Sequence, residues 1–300
     1  MKVLNFGSLN IDYVYRLDHF VQKGETISSD ALNIYSGGKG LNQSIALGRA
    51  GIKTYHAGAI GTDGQFLLDL MEASGVDTSL VARLTDVRTG NAIIQNDKSG
   101  DNCIILYGGA NQAITKEQVE ETILKFSAGD YIVLQNEINE MEDIVKRAHE
   151  QGMCIVLNPS PMNEKILRLP LDLVDLFILN EIEAGQILGI ADADAGQGEA
   201  LAKKLLERFP KAQIVLTLGS AGSIYAGQGM LHKQGIYRTK TVDTTAAGDT
   251  FTGYFIAGLI EGASVPEAMD LAAKAAAITV SGAGAAPSIP VKKDVEAYQF

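Results

Sequence analysis

From about residue 131 onward, short apolar runs alternate with stretches of helical periodicity. The runs are "YIVLQN", "CIVLNPS", "LFILN" and "IVLTLG", and the helical stretches lie at 140–151, 181–188 and 195–208. Alternation of this kind predicts βαβ units and a parallel sheet. The runs are apolar at nearly every position, so their strands should be covered on both faces. Two regions break the rhythm, 11–35 and 88–110, the second with "NAIIQND" and "NCIILYGG" around the turn "KSGD". They predict half-exposed antiparallel strands that form a small sheet standing off the main body. The expected architecture is a single α/β body over 1–300 with a discontinuous lid from about 11–35 and 88–110.

Capping positions place two of the helices. Thr115 stands three residues before Gln118, and Ser264 three before Glu267, the spacing at which a hydroxyl and a carboxylate or amide satisfy the first free amides of a helix. The helix predicted after Ser264, "EAMDLAAKAAAITVSG", is rich in Ala and can bring its backbone close to a neighbour. Nothing repeats at the ~20–50 residue period of solenoids, and there is no low-complexity tract.

Composition then narrows the function. A chain of 300 residues, 46% of them hydrophobic, can bury one large core or a core plus a smaller lobe. A formal net charge of -11 argues against nucleic acid or an anionic membrane as partner, since both call for a basic surface, and favours a small molecule. Cys103 and Cys154 are too few and too far apart for a disulfide framework or a zinc cluster, so they read as small core residues of a reduced, cytoplasmic protein. The opening "MKVLNFGSLNIDY" meets Asn5, Asn10 and Asp12 before a signal-peptide core can form. No apolar run approaches the ~18 residues of a membrane span.

Candidate chemistry collects in a few stretches. "YSGGKGLNQSIALGRAG" puts glycines before a lysine at a helix start, yet Gly40 stands where a phosphate-binding P-loop needs Ser or Thr. Gly37 and Gly38 still let a ligand approach the backbone, with Lys39 and Asn42 facing it from the first turn; a Gly-rich turn with a solvated lysine fits as well. "FGSLNID" lacks the G-x-G-x-x-G spacing of a dinucleotide site, which disfavours a nicotinamide oxidoreductase. Asn10 and Asp12, two apart in an extended segment, share a face and can grip vicinal hydroxyls, or simply make a turn. In "TVDTTAAGDTFTGYF" a helix starting near Gly248 would aim the amides of Ala246, Ala247, Gly248 and Asp249 at an anion such as a phosphoryl group. Asp249 could then take a proton from an attacking hydroxyl; its other common use is to cap the helix. Asn180 and Glu183 in "LFILNEIEAGQILG" suit a hydrated magnesium ion at the carboxyl edge of a sheet, and equally a polar surface. "VLTLGSAGS" offers a Gly-containing turn suited to a nucleotide, or a bare hairpin turn.

Together and in this order, the stretches from "GSLNID" to "GAGAAPSIP" resemble the ribokinase branch of the ribokinase/PfkB carbohydrate kinase family over nearly the whole chain. "GGKGLNQSIALGRAG" and "VDTTAAGDTFTGYF" are the specific signatures. The resemblance implies ATP-dependent phosphorylation of a sugar hydroxymethyl on a three-layer α/β/α body with a β-sheet lid that commonly pairs into a homodimer. It implies sugar contacts at Asn10, Asp12, Gly38, Lys39, Asn42 and Glu137, and nucleotide contacts at Asn180, Thr217, Gly219, Ser220 and Gly222. Glu183 would hold Mg2+ through water, Asp249 would be the base, and Ala246, Ala247 and Gly248 the anion hole. A monovalent cation, K+, would sit behind that loop on Asp243, Thr245, Thr279, Gly282, Gly284 and Ser288. Retention of Asn10 and Asp12 favours ribose over 2-deoxyribose. Lys39 is the one cation in the implied sugar motifs, which argues against a phosphorylated sugar. Fructose-type and adenosine-type substrates stay open, the latter through Tyr13, Tyr15 and Tyr107 as stacking walls. The alternative from another class is a sugar-binding protein that has lost turnover; the presence of Asp249 and its Ala-Ala-Gly speaks against it.

Overall fold

In the computed structural model, which describes residues 1–99 and 101–299, the chain opens with β1 (Val3–Phe6), β2 (Asn10–Arg16), β3 (Ala31–Gly37), α1 (Lys39–Arg49), β4 (Thr54–Ile60), α2 (Gln65–Ala73) and β5 (Val76–Arg83). It continues through β6 (Gly90–Asn96), β7 (Asn102–Tyr107), α3 (Lys116–Ile123), β8 (Tyr131–Leu134), α4 (Met141–Glu150), β9 (Cys154–Leu157), β10 (Leu176–Asn180) and α5 (Glu181–Leu188). The last part holds α6 (Gly198–Arg208), β11 (Gln213–Thr217), β12 (Ser223–Gly227), β13 (Met230–Gln234), α7 (Ala247–Ile260), α8 (Val265–Ser281), α9 (Ala285–Ser288) and α10 (Lys292–Ala297).

The large sheet has the order β13-β12-β11-β10-β9-β8-β1-β4-β5. Its strands are parallel from β11 to β5, and β12 and β13 turn back antiparallel at one edge. The two-sided burial expected from the apolar runs is met residue by residue. Val3, Val133, Val156, Ile178 and Val215 join one core cluster with Tyr254 and Phe255 of α7 and Met269 of α8. Their chain neighbours Leu4, Ile132, Ile155, Phe177 and Ile214 join another, with Val119 of α3, Ile144 of α4, Ile187 of α5 and Leu201 of α6. Alternate side chains of a strand point to opposite faces, so these runs require helices on both sides, and the body has three layers. Each such side chain contributes about 1.5–3 kcal/mol on burial.

Helix α7 is buried from Asp249 to Gly258, more like a core rod than an amphipathic surface helix. It fits because small residues meet where it crosses α1: a Cβ on Gly253 would fall 2.5 Å from the Cβ of Ala46.

The small sheet has the order β3-β2-β6-β7. Its outer pairs are antiparallel, as expected, but β2 and β6 run parallel. Between them the chain returns to the large sheet for β4 and β5, and so re-enters in the same direction. Every position of β7 is exposed, including Cys103, which corrects its assignment to the core. Cys154 is half-buried at the start of β9, and burial pushes its thiol up to about 12, leaving it protonated. Both predicted caps form, the second as a full capping box between Ser264 and Glu267. Thr115 accepts the Gln118 amide at 3.2 Å, while the Gln118 side chain turns to the Gly58 carbonyl; Ser264 donates both its amide and its hydroxyl to Glu267. Among the described residues no helix is long and apolar enough to cross a membrane.

Candidate active site

The carboxyl ends of β1, β8, β9, β10 and β11 come out on one edge of the large sheet, where open α/β sheets bind ligands. A cleft of about 490 Å³ lies there, roofed by the small sheet. It brings together Asn10, Asp12, Gly38, Lys39, Asn42, Glu137, Asn180, Glu183, Thr217, Thr245, Ala246, Gly248 and Asp249 from stretches far apart in the chain. A second cleft of equal volume, around Lys116, Glu140 and Lys165, holds none of these groups.

Asn10 and Asp12 leave β2 on the cleft side. Asn10 Oδ1 accepts from Asn111 Nδ2 at 2.7 Å, leaving the Asn10 amide nitrogen for a ligand. Asp12 pairs in register with Tyr35 and Ala92, and its carboxylate fills the space a side chain on Gly37 would take. Burial, with the charge of Glu137, pushes the Asp12 carboxyl up to about 6. Glu137, after β8, accepts from the Ser8 hydroxyl and, at 2.8 Å, from the Lys39 amide. Burial still carries its carboxyl above the usual range against these donors. Burial opposes charge on Lys39, but Asp249, Glu137 and Glu183 together raise it, so the ammonium is held firmly protonated. Gly40 shows why the P-loop reading fails physically: a Cβ there would lie 2.3 Å from the Ser8 amide nitrogen, so α1 presses straight onto the turn after β1.

Asp249 is 7% exposed, and both its oxygens are held: Oδ2 accepts from Asn42 Nδ2 at 3.1 Å and Oδ1 from Gln43 Nε2 at 2.9 Å. The Asn42 side-chain oxygen has no partner and is buried, an acceptor left for a ligand. At the start of α7, Ala246 takes φ +62°, a left-handed turn that brings the next amides into line. Thr250 donates to the Ala246 carbonyl, and Ala247 turns its amide to the Thr244 carbonyl at 3.3 Å, away from the expected anion hole. The amides of Gly248 and Asp249 take no acceptor among the described residues.

Asn180 and Glu183 form a reciprocal cap on α5: Glu183 N donates to Asn180 Oδ1 at 2.8 Å, and Asn180 N to Glu183 Oε2 at 2.9 Å. Glu183 is thus both a capping group and, at 6% exposed, a buried carboxylate beside the cleft. Thr217 lines the cleft from the end of β11; Gly219 and Ser220 follow in an exposed turn on the same edge. Gly222, at φ +93°, sits where a Cβ would meet the Gln234 carbonyl at 2.2 Å.

Behind the Ala246 turn, Asp243 stitches two loops together. Its Oδ1 accepts from the amide and hydroxyl of Thr245, and its Oδ2 from the Gly284 amide at 3.0 Å. Burial opposes ionisation, but these donors outweigh it and hold its carboxyl below the usual range. Gly282 donates to the Thr279 carbonyl and packs on Ser288, so the six residues matched to a cation site occupy one corner.

The sequence reading missed Gln43, Asn158, Asn111 and the apolar roof of Ala92, Ile94, Ile104 and Leu106. Gln43 follows the noted Asn42 directly, but only the fold puts it against Asp249. Tyr13, Tyr15 and Tyr107 do not wall the cleft. Tyr13 and Tyr15 alternate with Asp12, and Tyr107 pairs with Asn91, so all three project from the opposite face of the small sheet.

A buried carboxylate beside free helix-start amides, in a cleft lined by amides and carboxylates, has the parts that phosphoryl transfer to a hydroxyl requires. Residues 1–292 match the pfkB family carbohydrate kinase description, and the chain belongs to that family. It is 34% identical over 302 residues to a ribokinase of Staphylococcus aureus, covering 98% of each chain. Its structure is similar to a ribokinase of Cryptococcus neoformans in complex with ADP (TM-score 0.89, 32% identity, 98% of each chain). It is also similar to Arabidopsis thaliana ribokinase complexed with ribose and ATP (TM-score 0.85, 29% identity, 98% and 97% of the two chains).

Proposed function

We propose that this chain transfers the γ-phosphoryl group of ATP to the hydroxymethyl of D-ribose, yielding ribose 5-phosphate and ADP. The observation that carries the reading is Asp249, held on both oxygens by two amide donors beside the free amides of Gly248 and Asp249. Asp249 takes the hydroxyl proton as the new O–P bond forms and the bond to the ADP oxygen breaks; the amides stabilise the charge on the transferring group. Asn10, Asp12 and Asn42 hold the sugar hydroxyls, with Gly38, Lys39 and Glu137 completing that side. Lys39 is the one cation among the described lining residues, against four carboxylates there, which disfavours a second phosphate on the substrate.

The nucleotide lies along Asn180, Thr217, Gly219, Ser220 and Gly222. Glu183 fits a hydrated magnesium ion brought with ATP, because it is an acceptor-only group already fixed by its cap. The ion would supply charge neutralisation on the phosphates. The Asp243 corner would take potassium. The small sheet would act as the lid, and its apolar outer face would pair two copies. We place the reaction in the cytoplasm, where ATP is available.

The test is ATP consumption by the purified chain with ribose, 2-deoxyribose, fructose and adenosine. Ribose should be preferred, with 2-deoxyribose clearly poorer. Turnover with none of the four would favour a sugar-binding protein instead, and a preference for adenosine would overturn the sugar assignment.

A further inference from the structure

The base does not stand alone. A chain of side-chain amides runs from it into the body, and both ends of that chain are fixed by main-chain carbonyls. At one end Asn158 Nδ2 donates to the Ile178 carbonyl at 2.8 Å. Its oxygen must therefore face Gln43 and demands a donor there, met by Gln43 Nε2 at 3.0 Å. At the other end Asn5 Nδ2 donates to the Gly40 carbonyl at 2.9 Å, so Asn5 Oδ1 demands a donor from Gln135, which supplies it at 3.0 Å. The same Gln135 nitrogen donates to Gln43 Oε1 at 2.7 Å. An amide offers a donor on one side and an acceptor on the other. The two ends therefore impose the same orientation on Gln43: oxygen toward Gln135, nitrogen toward Asp249. Gln43 and Gln135 are 0% and 1% exposed, so bulk water does not compete for either amide.

We propose that Gln43, oriented by Gln135, is a positioning residue for the reaction: its amide holds the Asp249 carboxylate in place and aimed at the substrate hydroxyl. This rests on Asp249 being the base. Donors to the charged form lower a carboxyl pKa, and losing one raises it. The charged groups around Asp249 are Lys39 from α1, Glu137 from the segment after β8, Glu183 from α5 and Asp12 from the small sheet. None of them bonds its carboxylate, so changing Gln43 leaves them in place.

The experiment compares the unmodified chain with Gln43→Met, Gln135→Met and Asp249→Asn. All are checked for folding by thermal melting, and kcat is measured against pH at saturating ribose and ATP. Gln43→Met should lower kcat about 10- to 100-fold, the effect of a misplaced reacting group, with KM for both substrates little changed. The acid limb of its kcat profile should move to higher pH. Gln135→Met, which does not touch Asp249, should move the limb in the same direction by less. Folded variants with an unshifted acid limb, or a loss confined to KM, would overturn the positioning role. Asp249→Asn separates the two claims: kcat should fall roughly 10²–10⁴-fold. If it does while the Gln43 profile stays put, only the amide chain is wrong; if it keeps near-normal turnover, the base assignment itself falls.

Discussion

Asp12 is the side chain whose charge state can be read most directly as function. With its carboxyl pushed up to about 6 by burial and by Glu137, the proton is lost around pH 6, above the usual carboxylate range. Only the ionised form accepts on both oxygens with neither acting as a donor. Ribose affinity should therefore weaken as pH falls through about 6 and level off above it, and in Asp12→Asn that step should vanish. Asp12→Ala should cost about 1.5–3 kcal/mol of sugar binding, because hydroxyls would be left facing an apolar gap. Stability carries the opposite sign. The folded chain holds this proton more tightly than the unfolded one, whose value lies near 3.8, so ligand-free stability should decline as pH rises from there to about 6. Titration of ribose into both forms by calorimetry at several pH values, with thermal melts alongside, checks both signs. A pH-independent affinity in the unmodified chain would remove Asp12 from the sugar contacts.

Among the elements, the start of α7 depends on the loop behind it. Ala246 holds a left-handed backbone that a residue with a side chain adopts at some cost, and Asp243 braces that turn against the 282–288 segment. A bound potassium at this corner would stiffen the same loop without touching substrate. Potassium should then raise kcat or ATP affinity over sodium, and Asp243→Ala should lose most of that response. Rates at fixed ionic strength and saturating magnesium, with potassium, sodium or a bulky organic cation as the only monovalent ion, decide it. Equal rates in all three would leave the bracing to the hydrogen bonds alone. Element boundaries from β8 to β11 were legible because apolar runs of four or five residues separated by helical periods admit few other arrangements. The parallel β2–β6 pair was not, since a local pattern carries no direction for a strand whose partner lies some eighty residues away.

For the molecule as a whole, the face of the small sheet turned from the cleft is the least finished surface. Ile34, Ile93, Ile105 and Tyr107 lie on it, exposed by 55%, 38%, 61% and 53%. Contiguous exposed apolar residues of this size mark an interaction surface. The chain should sediment as a pair of 31.9 kDa subunits, and Ile105→Glu should shift it to the monomer by placing charge in the centre of the contact. An unmodified chain that sediments as a monomer at assay concentration would leave this face without a second copy.

The pattern along the chain was enough for the chemical types: two signature stretches, a carboxylate at a helix start, an amide and a carboxylate on one strand face, and strands that must be covered twice. Those follow from spacing within a few residues, where backbone geometry is stiff enough to be read directly. What these groups meet came from the folded arrangement. Gln43 and Asn158 are ordinary amides until α1 brings Gln43 to Asp249 and the end of β9 brings Asn158 to Gln43, and the direction of their hydrogen bonds is set by the carbonyls of Gly40 and Ile178. Glu183 read as a polar surface or metal residue until its cap was seen, and Cys103 read as core until β7 proved to be an exposed edge strand. A side chain's partner, its burial and therefore its pKa depend on contacts across the fold, and the pattern along the chain does not encode them locally.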